Sequence, residues 1–301
     1  MKKILLTGAN GFLGSHILKL LLKEGYHPIL LLRATSDLWR IEEVLDKCDT
    51  FIVNEVEQNL KDVFEAHEIY GVIHTATEYG RDQPLSQLLK TNVIFPVELI
   101  EHGLRSNIKV FINADTFFAK PQFKQTYLNN YTESKRILEK FLVQLSQDVL
   151  VCNLRLEHVF GENDSPQKFV TGIINKLNQN EKEILLTEGT QKRDFIYIED
   201  AADAFIHVLK FADNKKEYKE FQIGTGESIS IRTFVEVVAR ITHSKSKLIF
   251  GALPTREGDI KDSFADISNL IALGWKPKFD LQMAITNLLL QDKNLNNEHR
   301  F

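Results

Sequence analysis

The chain has 301 residues, a formal charge of −4 and no Lys/Arg run longer than two, which argues against a nucleic-acid or membrane-binding surface. That length supports one large domain or two closely packed ones, and 43% hydrophobic against 26% charged residues is ordinary for a water-soluble globular protein. Cys48 and Cys152 are too few for a disulfide scaffold and too far apart for a cysteine zinc site. The histidines show no HxH or HExxH spacing, so no metal centre is expected. The apolar start MKKILL stops at Thr7-Gly8, too soon for a signal peptide, and no stretch reaches the length of a membrane span. The expected address is a reducing cytoplasm.

In chain order, KILLT (3–7) is a short apolar run ending in glycines, which predicts a buried parallel strand. From 12 to 23 the spacing turns helical, with Leu13, Ile17, Leu20 and Leu21 on one stripe and Gly25 closing it. PILLLR (28–33) is the second expected strand, and FIVN (51–54), GVIHTAT (71–77), KVFINA (109–114) and VLVCNLRL (149–156) repeat the pattern. Helices are expected at 86–105 and 131–147. Such alternation predicts a parallel sheet covered on both faces. After Gly161 the rhythm loosens into strand-like pieces ILLTEG (184–189), FIYIED (195–200) and FQIGTG (221–226), with helices expected at 167–180, 200–212 and 231–241. The tail, QDKNLNNEHR, reads as frayed and polar.

TGANGFLG (7–14) spaces Gly8, Gly11 and Gly14 three apart between a strand and a helix. In that context the glycines serve a tight turn, close backbone approach to a pyrophosphate, and close helix–strand packing, while the helix N-terminus offers free N–H groups to phosphate. A glycine-rich turn without ligand is the bland alternative. The expected fold is therefore α/β, a Rossmann-type doubly wound parallel sheet. Residues 1–161, with contributions from about 195–222, would form the cofactor domain, and 162–301 a smaller interleaved substrate lobe. A ribose-binding carboxylate is expected about 20 residues past the glycines in NAD proteins. Here that region reads LLLRATSD, with Arg33 and Ser36 and no acid at the strand end. A guanidinium there can pair a 2′-phosphate, so NADP(H) is favoured over NAD(H) unless Arg33 simply points to solvent.

YTESK (131–135) places Tyr131 and Lys135 on one helical face. By itself this is as ordinary as a tyrosine beside a solvated lysine. Beside a dinucleotide site it gains meaning, because an ammonium one turn away lowers a phenol's pKa and the tyrosine can then move a proton while the cofactor supplies hydride. At these residues the sequence resembles the extended short-chain dehydrogenase/reductase family. The resemblance spans nearly the whole chain: TGANGFLG, VIHTAT, TN at 91–92, YTESK, LRLEHVFG (154–161), RDFIYIED (193–200), IGTGESISI (223–231) and REGDIKDSFADIS (256–268). HTATEYG, INADTFFAK, RLEHVFG and LGWKPKFD are similar to the nucleotide-sugar 4-ketoreductases of the CDP-abequose synthase type.

The resemblance implies reduction of a C4 ketone on a nucleotide-linked deoxy-sugar by NADPH, with Tyr131 and Lys135 as catalytic residues. The family's third catalytic group, a Ser or Thr, falls on Asp115 or Thr116, and Thr116 is favoured because a hydroxyl both donates and accepts. The resemblance also implies cofactor contacts from Asn10, Phe12 and Leu13 in the glycine segment, from Thr75, Ala76 and Thr77 at the end of the fourth strand, and from Lys135 to the nicotinamide ribose. His158 would stand near the nicotinamide, unless it is structural. His74, in an apolar strand, reads as a packed core histidine.

Arg193 and Arg256 match family positions that bind the diphosphate of the sugar nucleotide, where two guanidiniums make bidentate contacts that Lys reproduces poorly. Asp259 matches a ribose-contacting position. Surface pairing of Arg193 with Asp194, or of Arg256 with Glu257, is the alternative. Glu78 and Tyr79 follow the fourth strand's carboxyl end, where open α/β sheets bind ligands, and are candidates for touching the sugar. An epimerase or dehydratase on the same scaffold is the runner-up activity, and an idle dinucleotide-binding regulator a third. The family resemblance also implies a homodimer.

Overall fold

The computed structural model describes residues 1–53, 60–81, 83–124, 127–212 and 215–298, so Asn54 of the expected third strand and residues 299–301 of the expected lobe and tail lie outside them. Strands β1 (Lys3–Thr7), β2 (His27–Arg33), β3 (Asp49–Val53), β4 (Ile69–His74), β5 (Val110–Thr116) and β6 (Leu150–Leu156) alternate with helices α1 (Phe12–Lys23), α2 (Leu60–Ala66), α3 (Leu85–Leu89), α4 (Phe95–Arg105) and α5 (Asn129–Leu145). Beyond them come β7 (His158–Phe160), α6 (Phe169–Asn178), β8 (Glu183–Leu185), β9 (Lys192–Arg193), β10 (Phe195–Tyr197), α7 (Ile198–Lys210) and β11 (Tyr218–Ile223). The chain finishes with β12 (Ile229–Ser230), α8 (Ile231–Ile241), β13 (Lys247–Ile249), β14 (Asp262–Ser263), α9 (Ser268–Ala272) and α10 (Leu281–Glu298).

Seven strands form one sheet in the order β11-β6-β5-β4-β1-β2-β3, and every pairing is parallel. This is a Rossmann-type fold. The chain builds outward from β1 to β3, then crosses back to β4, so the order reverses beside β1, where open α/β sheets bind ligands. The central strands are largely apolar on both faces because helices cover both, with Asn113, Asp115, Asn153 and Arg155 as a buried polar row on β5 and β6. Ile4 and Leu6 pack with Ile17, Leu18 and Leu21 of α1 and with α7, whereas Leu5 packs with Leu99 and Ile100 of α4 and Leu138 and Leu142 of α5. Each such fully buried aliphatic contributes about 1.5–3 kcal/mol.

Several boundaries differ from the expected ones. The fourth strand ends at His74, not Thr77, because residues 75–77 leave the sheet to pack against Thr7 and Asn92. FIYIED is a three-residue strand that becomes helix at Ile198, and the strand expected at 184–189 covers only 183–185. The strand expected at 221–226 is shifted to 218–223. The long helix expected at 86–105 is interrupted by a π-helical turn over Lys90–Ile94. The tail that reads as frayed continues as helix to Glu298.

β11 joins the main sheet beside β6, although it lies far along the chain. The remaining short strands pair in small sheets, β7 with β10, β8 with β13, and β9 with β12 and β14. Around them a second core forms from Phe160, Phe195, Tyr197 and Phe234 with α6, α8 and α10. A buried polar chain links this core to α1: His16 meets Glu162 at 3.0 Å, Tyr197 donates to Glu162 at 2.8 Å, and Asn287 of α10 donates to Tyr197 at 2.9 Å.

Candidate active site

A cleft of about 1610 Å³ runs from the glycine turn, past the carboxyl ends of β4 and β5, to the segment around Arg256. Single-ligand pockets span roughly 300–1,000 Å³, so this one has room for two ligands. At its first end Gly8 has φ +67°, a conformation that only glycine adopts without strain. A Cβ on Gly14 would stand 2.1 Å from the Gly8 carbonyl oxygen, so helix and turn touch through bare backbone. α1 has Gly11 as its N-cap residue, with no side-chain cap and no acid in its first turn, which leaves its N–H groups and positive dipole end for phosphate. These features fit a dinucleotide's pyrophosphate. Asn10, Phe12 and Leu13 line the same end of the cleft.

Thr75 and Ala76 are pinned to β1. The Thr75 hydroxyl donates to the Thr7 carbonyl at 2.7 Å, and the Ala76 N–H donates to the Thr7 hydroxyl at 3.3 Å. His74 shares a 2.8 Å hydrogen bond with the Thr7 hydroxyl, is fully buried beside Phe95 and Phe111, and is pushed down to about 3 by that burial and then by Lys135. It packs as a core residue.

At the same end Arg33 stands exposed as the last residue of β2, and its backbone N–H donates to the Ser36 hydroxyl at 3.0 Å. A second arginine that the sequence pattern does not single out, Arg40, lines the same cleft. Arg40 donates twice to the Asn163 carbonyl, at 3.1 and 3.0 Å, and its guanidinium lies 4.2 Å from the Trp39 ring. No periodicity or motif marks it; only the folded loops bring it there.

Tyr131 and Lys135 are both buried in the first turns of α5, and both line the cleft. Burial pushes the Tyr131 phenol well above its ordinary value, and Tyr79 and Asp115 push the same way, while hydrogen bonds with Thr116 and Thr77 pull it back. This corrects the expectation that Lys135 sets that pKa low: burial sets its direction, and Lys135 is not among the groups that shift it. The ammonium itself is pushed down to about 8 by burial, opposed by Asp115, and donates to the Ala114 carbonyl at 3.0 Å.

Thr116 and Asp115 have different partners. Thr116 hydrogen-bonds Tyr131. Asp115 instead accepts from Asn153 at 2.8 Å and from Arg155 at 3.2 Å. Arg155 also pairs with Glu139 of α5 and Glu220 of β11, which locks helix and sheet together under the site.

Asn92, quoted only as half of a TN pair, is fully buried in the π-helical turn. It donates to the Glu78 carbonyl at 2.7 Å and to Ser134 at 3.0 Å, and accepts from the Glu78 N–H at 2.8 Å. It thereby ties Thr77 and Glu78 to the helix that carries Tyr131. Tyr79 stacks near Tyr131, with ring centroids 4.9 Å apart. His158 lies 4.5 Å from the Phe117 ring and close to Phe195, and burial, then Arg193, pushes it down to about 3.

At the far end Arg193 is nearly buried. It donates to Asp259 at 2.7 Å, to Ile260 O at 2.5 Å and to Lys192 O at 2.7 Å. The pairing with Asp194 considered from sequence does not occur, because the Asp194 carboxylate accepts from Thr225, Gly226 and Ala265. Arg256 is exposed and lies 3.7 Å over the Tyr127 ring; among the described residues it forms no ion pair with Glu257. A buried pair, Lys120 to Glu157 at 2.6 Å, fixes the chain after Thr116 against the β6–β7 connection.

The chain is similar to known proteins over nearly its whole length. The model of the NAD dependent epimerase/dehydratase family matches residues 4–224. A CDP-abequose synthase from Salmonella muenchen is 37% identical over 292 residues, covering 96% of this chain and 97% of that protein. Among solved structures, the UDP-glucose 4-epimerase of Thermotoga maritima with UDP-glucose superposes with a TM-score of 0.84 at 23% identity, covering 98% of this chain and 99% of the other. A UDP-glucuronic acid 4-epimerase from Bacillus cereus, in complex with UDP-glucuronic acid and NAD, gives a TM-score of 0.82 at 22% identity, covering 97% and 99%.

Proposed function

This chain belongs to the NAD dependent epimerase/dehydratase family, and we propose that it is an NADPH-dependent reductase of the C4 ketone in a nucleotide-linked 4-keto-6-deoxy- or 3,6-dideoxyhexose. The observation that carries this reading is the buried Tyr131 hydroxyl, hydrogen-bonded to Thr116 where the two ends of one long cleft meet. The Tyr131 phenol keeps its proton at neutral pH and can give it to a developing alkoxide, which is the stronger base even though burial makes the phenol a weaker acid than usual. Thr116 orients that hydroxyl, and Asn92 holds the neighbouring loop in register with it. Lys135 places a cation, or a neutral amine above about pH 8, one helical turn away. A bound NADPH supplies the hydride. The likeness to a CDP-abequose synthase supports a deoxy-sugar product used in surface polysaccharide such as O-antigen.

NADPH over NADH rests on Arg33 and on the lack of an acid at the end of β2. Cofactor binding belongs to residues 1–161 with 195–222, and sugar-nucleotide binding to 162–301. Among the described residues no helix is long and apolar enough to cross a membrane. The thiols of Cys48 and Cys152 accord with a cytoplasmic enzyme. Ile137 and Phe141, exposed one turn apart on α5, support a homodimer formed through that helix.

The test is absorbance of the reduced nicotinamide with a panel of CDP-, dTDP-, UDP- and GDP-linked 4-keto sugars. One NADPH should disappear per 4-hydroxy product, and Tyr131→Phe should slow turnover by about 10²–10⁴ while still binding NADPH. Arg33→Ala should weaken NADPH far more than NADH. Interconversion of 4-hydroxy sugars without NADPH loss would make the protein an epimerase instead.

A further inference from the structure

Asp115 is a buried acid at the edge of the cleft to which the reaction above gives no part. Side chains alternate faces along a strand, so Asp115 shares a face of β5 with Phe111, which packs in one cluster with Leu138 and Leu142 of α5. Its carboxylate therefore points toward the helix that carries Lys135. One oxygen, Oδ2, accepts from Asn153 at 2.8 Å and from Arg155 at 3.2 Å. The other, Oδ1, is buried and among the described residues has no hydrogen-bond partner. Arg155 does not belong to Asp115 alone, because the same guanidinium also meets Glu139 of α5 and Glu220 of β11. The equally buried Lys135 ammonium donates to the carbonyl of Ala114, the residue before Asp115, and among the described residues makes no direct ion pair.

We propose that Asp115 is a positioning residue of this site, the through-space counter-charge that holds Lys135 as an ammonium beside Tyr131. A buried ammonium with no opposite charge near it loses its proton readily. Burial is what pushes Lys135 down to about 8, and Asp115 is the charge that opposes it. The other titratable groups around the ammonium are engaged or neutral. His74 of β4 faces it, but burial and then Lys135 itself keep that ring neutral. Tyr131, on the same helix, is held in its phenol form by burial, Tyr79 and Asp115. Glu139, one turn further along α5, takes Arg155 and the Tyr218 hydroxyl, and Glu220 takes Arg155. A cation kept at Lys135 stabilises the negative charge that develops on a carbonyl oxygen during reduction. The inference rests on the ketoreductase reading above and adds to it a role for Asp115.

The experiment is an NMR titration of the full chain carrying isotope-labelled lysine, with the Lys135 signal identified by its absence from Lys135→Met. The midpoint should lie near pH 8 in wild type and fall by about one pH unit or more in Asp115→Asn. Asp115→Ser removes the same charge with a smaller side chain and should move the midpoint the same way, so the test does not hang on one variant folding. Glu139→Gln disturbs the same buried network and should leave the midpoint nearly in place. In turnover with NADPH and a 4-keto sugar nucleotide, the basic limb of the kcat profile should move down with the midpoint. An unchanged midpoint in the Asp115 variants would overturn the proposal, and so would an equal fall in Glu139→Gln, which would trace the effect to packing. Because the titration needs no reaction, a lowered midpoint in a protein that reduces no 4-keto sugar upholds the counter-charge and sinks only the ketoreductase reading. Reduction by wild type, with a basic limb that stays in place in Asp115→Asn, overturns the role of Asp115 alone.

Discussion

Lys135 occupies an unusual position for a lysine, buried to 3% exposure beneath a polar cleft. Burial lowers it from the usual 10.5 to about 8, with Asp115 opposing. The sign follows from proton counting. Between about pH 8 and 10.5 the unfolded chain binds more protons than the folded one, so this residue makes stability rise with pH across that window, by up to about 1.4 kcal/mol per unit. At and below pH 8 the full cost of holding the charge is present. Urea unfolding of Lys135→Met should therefore show its greatest gain relative to wild type at pH 8 or below, shrinking steadily toward pH 10. A constant difference across that range would mean that the ammonium is not strained in the fold. Tyr131 shows the same physics with the opposite sign: burial raises its pKa, so the phenol keeps its proton at neutral pH and is a weaker acid than in water.

At the scale of elements, the contact between α1 and the turn that precedes it is the most sharply constrained. The Gly14 Cα stands so close to the Gly8 carbonyl that any side chain must displace backbone. Gly14→Ala should lower stability by about 1–3 kcal/mol through overpacking and weaken NADPH by tilting the helix N-terminus away from the phosphates. Thermal melts with and without NADPH measure both effects. Gly25→Ala is the control: its φ is +75°, but no atom lies within 4 Å of the added methyl, so only backbone strain should register and cofactor binding should not change. The π-helical turn at Lys90–Ile94 is a second constrained element. It places Asn92 where an uninterrupted α-helix would not, and the loop carrying Thr77 and Glu78 hangs from that one amide.

For the whole molecule, the sheet's burial on both faces sets its acid tolerance. His74 lies at the centre of the sheet with 0% exposure, and burial, then Lys135, pushes it down to about 3 from 6.5. Its neutral form is needed for folding, so its contribution is complete above pH 6.5 and is lost as pH falls from there toward 3, at up to about 1.4 kcal/mol per unit. His74→Leu should be less stable at pH 7 through the lost Thr7 bond, yet decline less steeply between pH 6 and 4. Equal slopes for both proteins would exclude this histidine as a cause of acid unfolding.

The sequence by itself determined the alternating strands and helices, the parallel sheet and the glycine turn, because apolar periodicity and glycine spacing are local consequences of backbone geometry. It also determined that Tyr131 and Lys135 share a face, since four residues make about one helical turn. Four things were decided only by tertiary structure. β11 crossed back to lie beside β6 because the edge of the sheet needed a partner far along the chain. Thr116 went to the tyrosine and Asp115 to Arg155, because strand register set which neighbour each side chain met. Tyr131 rose in pKa instead of falling, because desolvation depends on everything packed around a group and not on its sequence neighbours. Charge pairing at the substrate end is the fourth: Asp259 folded onto Arg193, while among the described residues Arg81 and Arg256 meet the Tyr127 side chain and no carboxylate, and pairings between distant loops leave no periodic trace in a sequence.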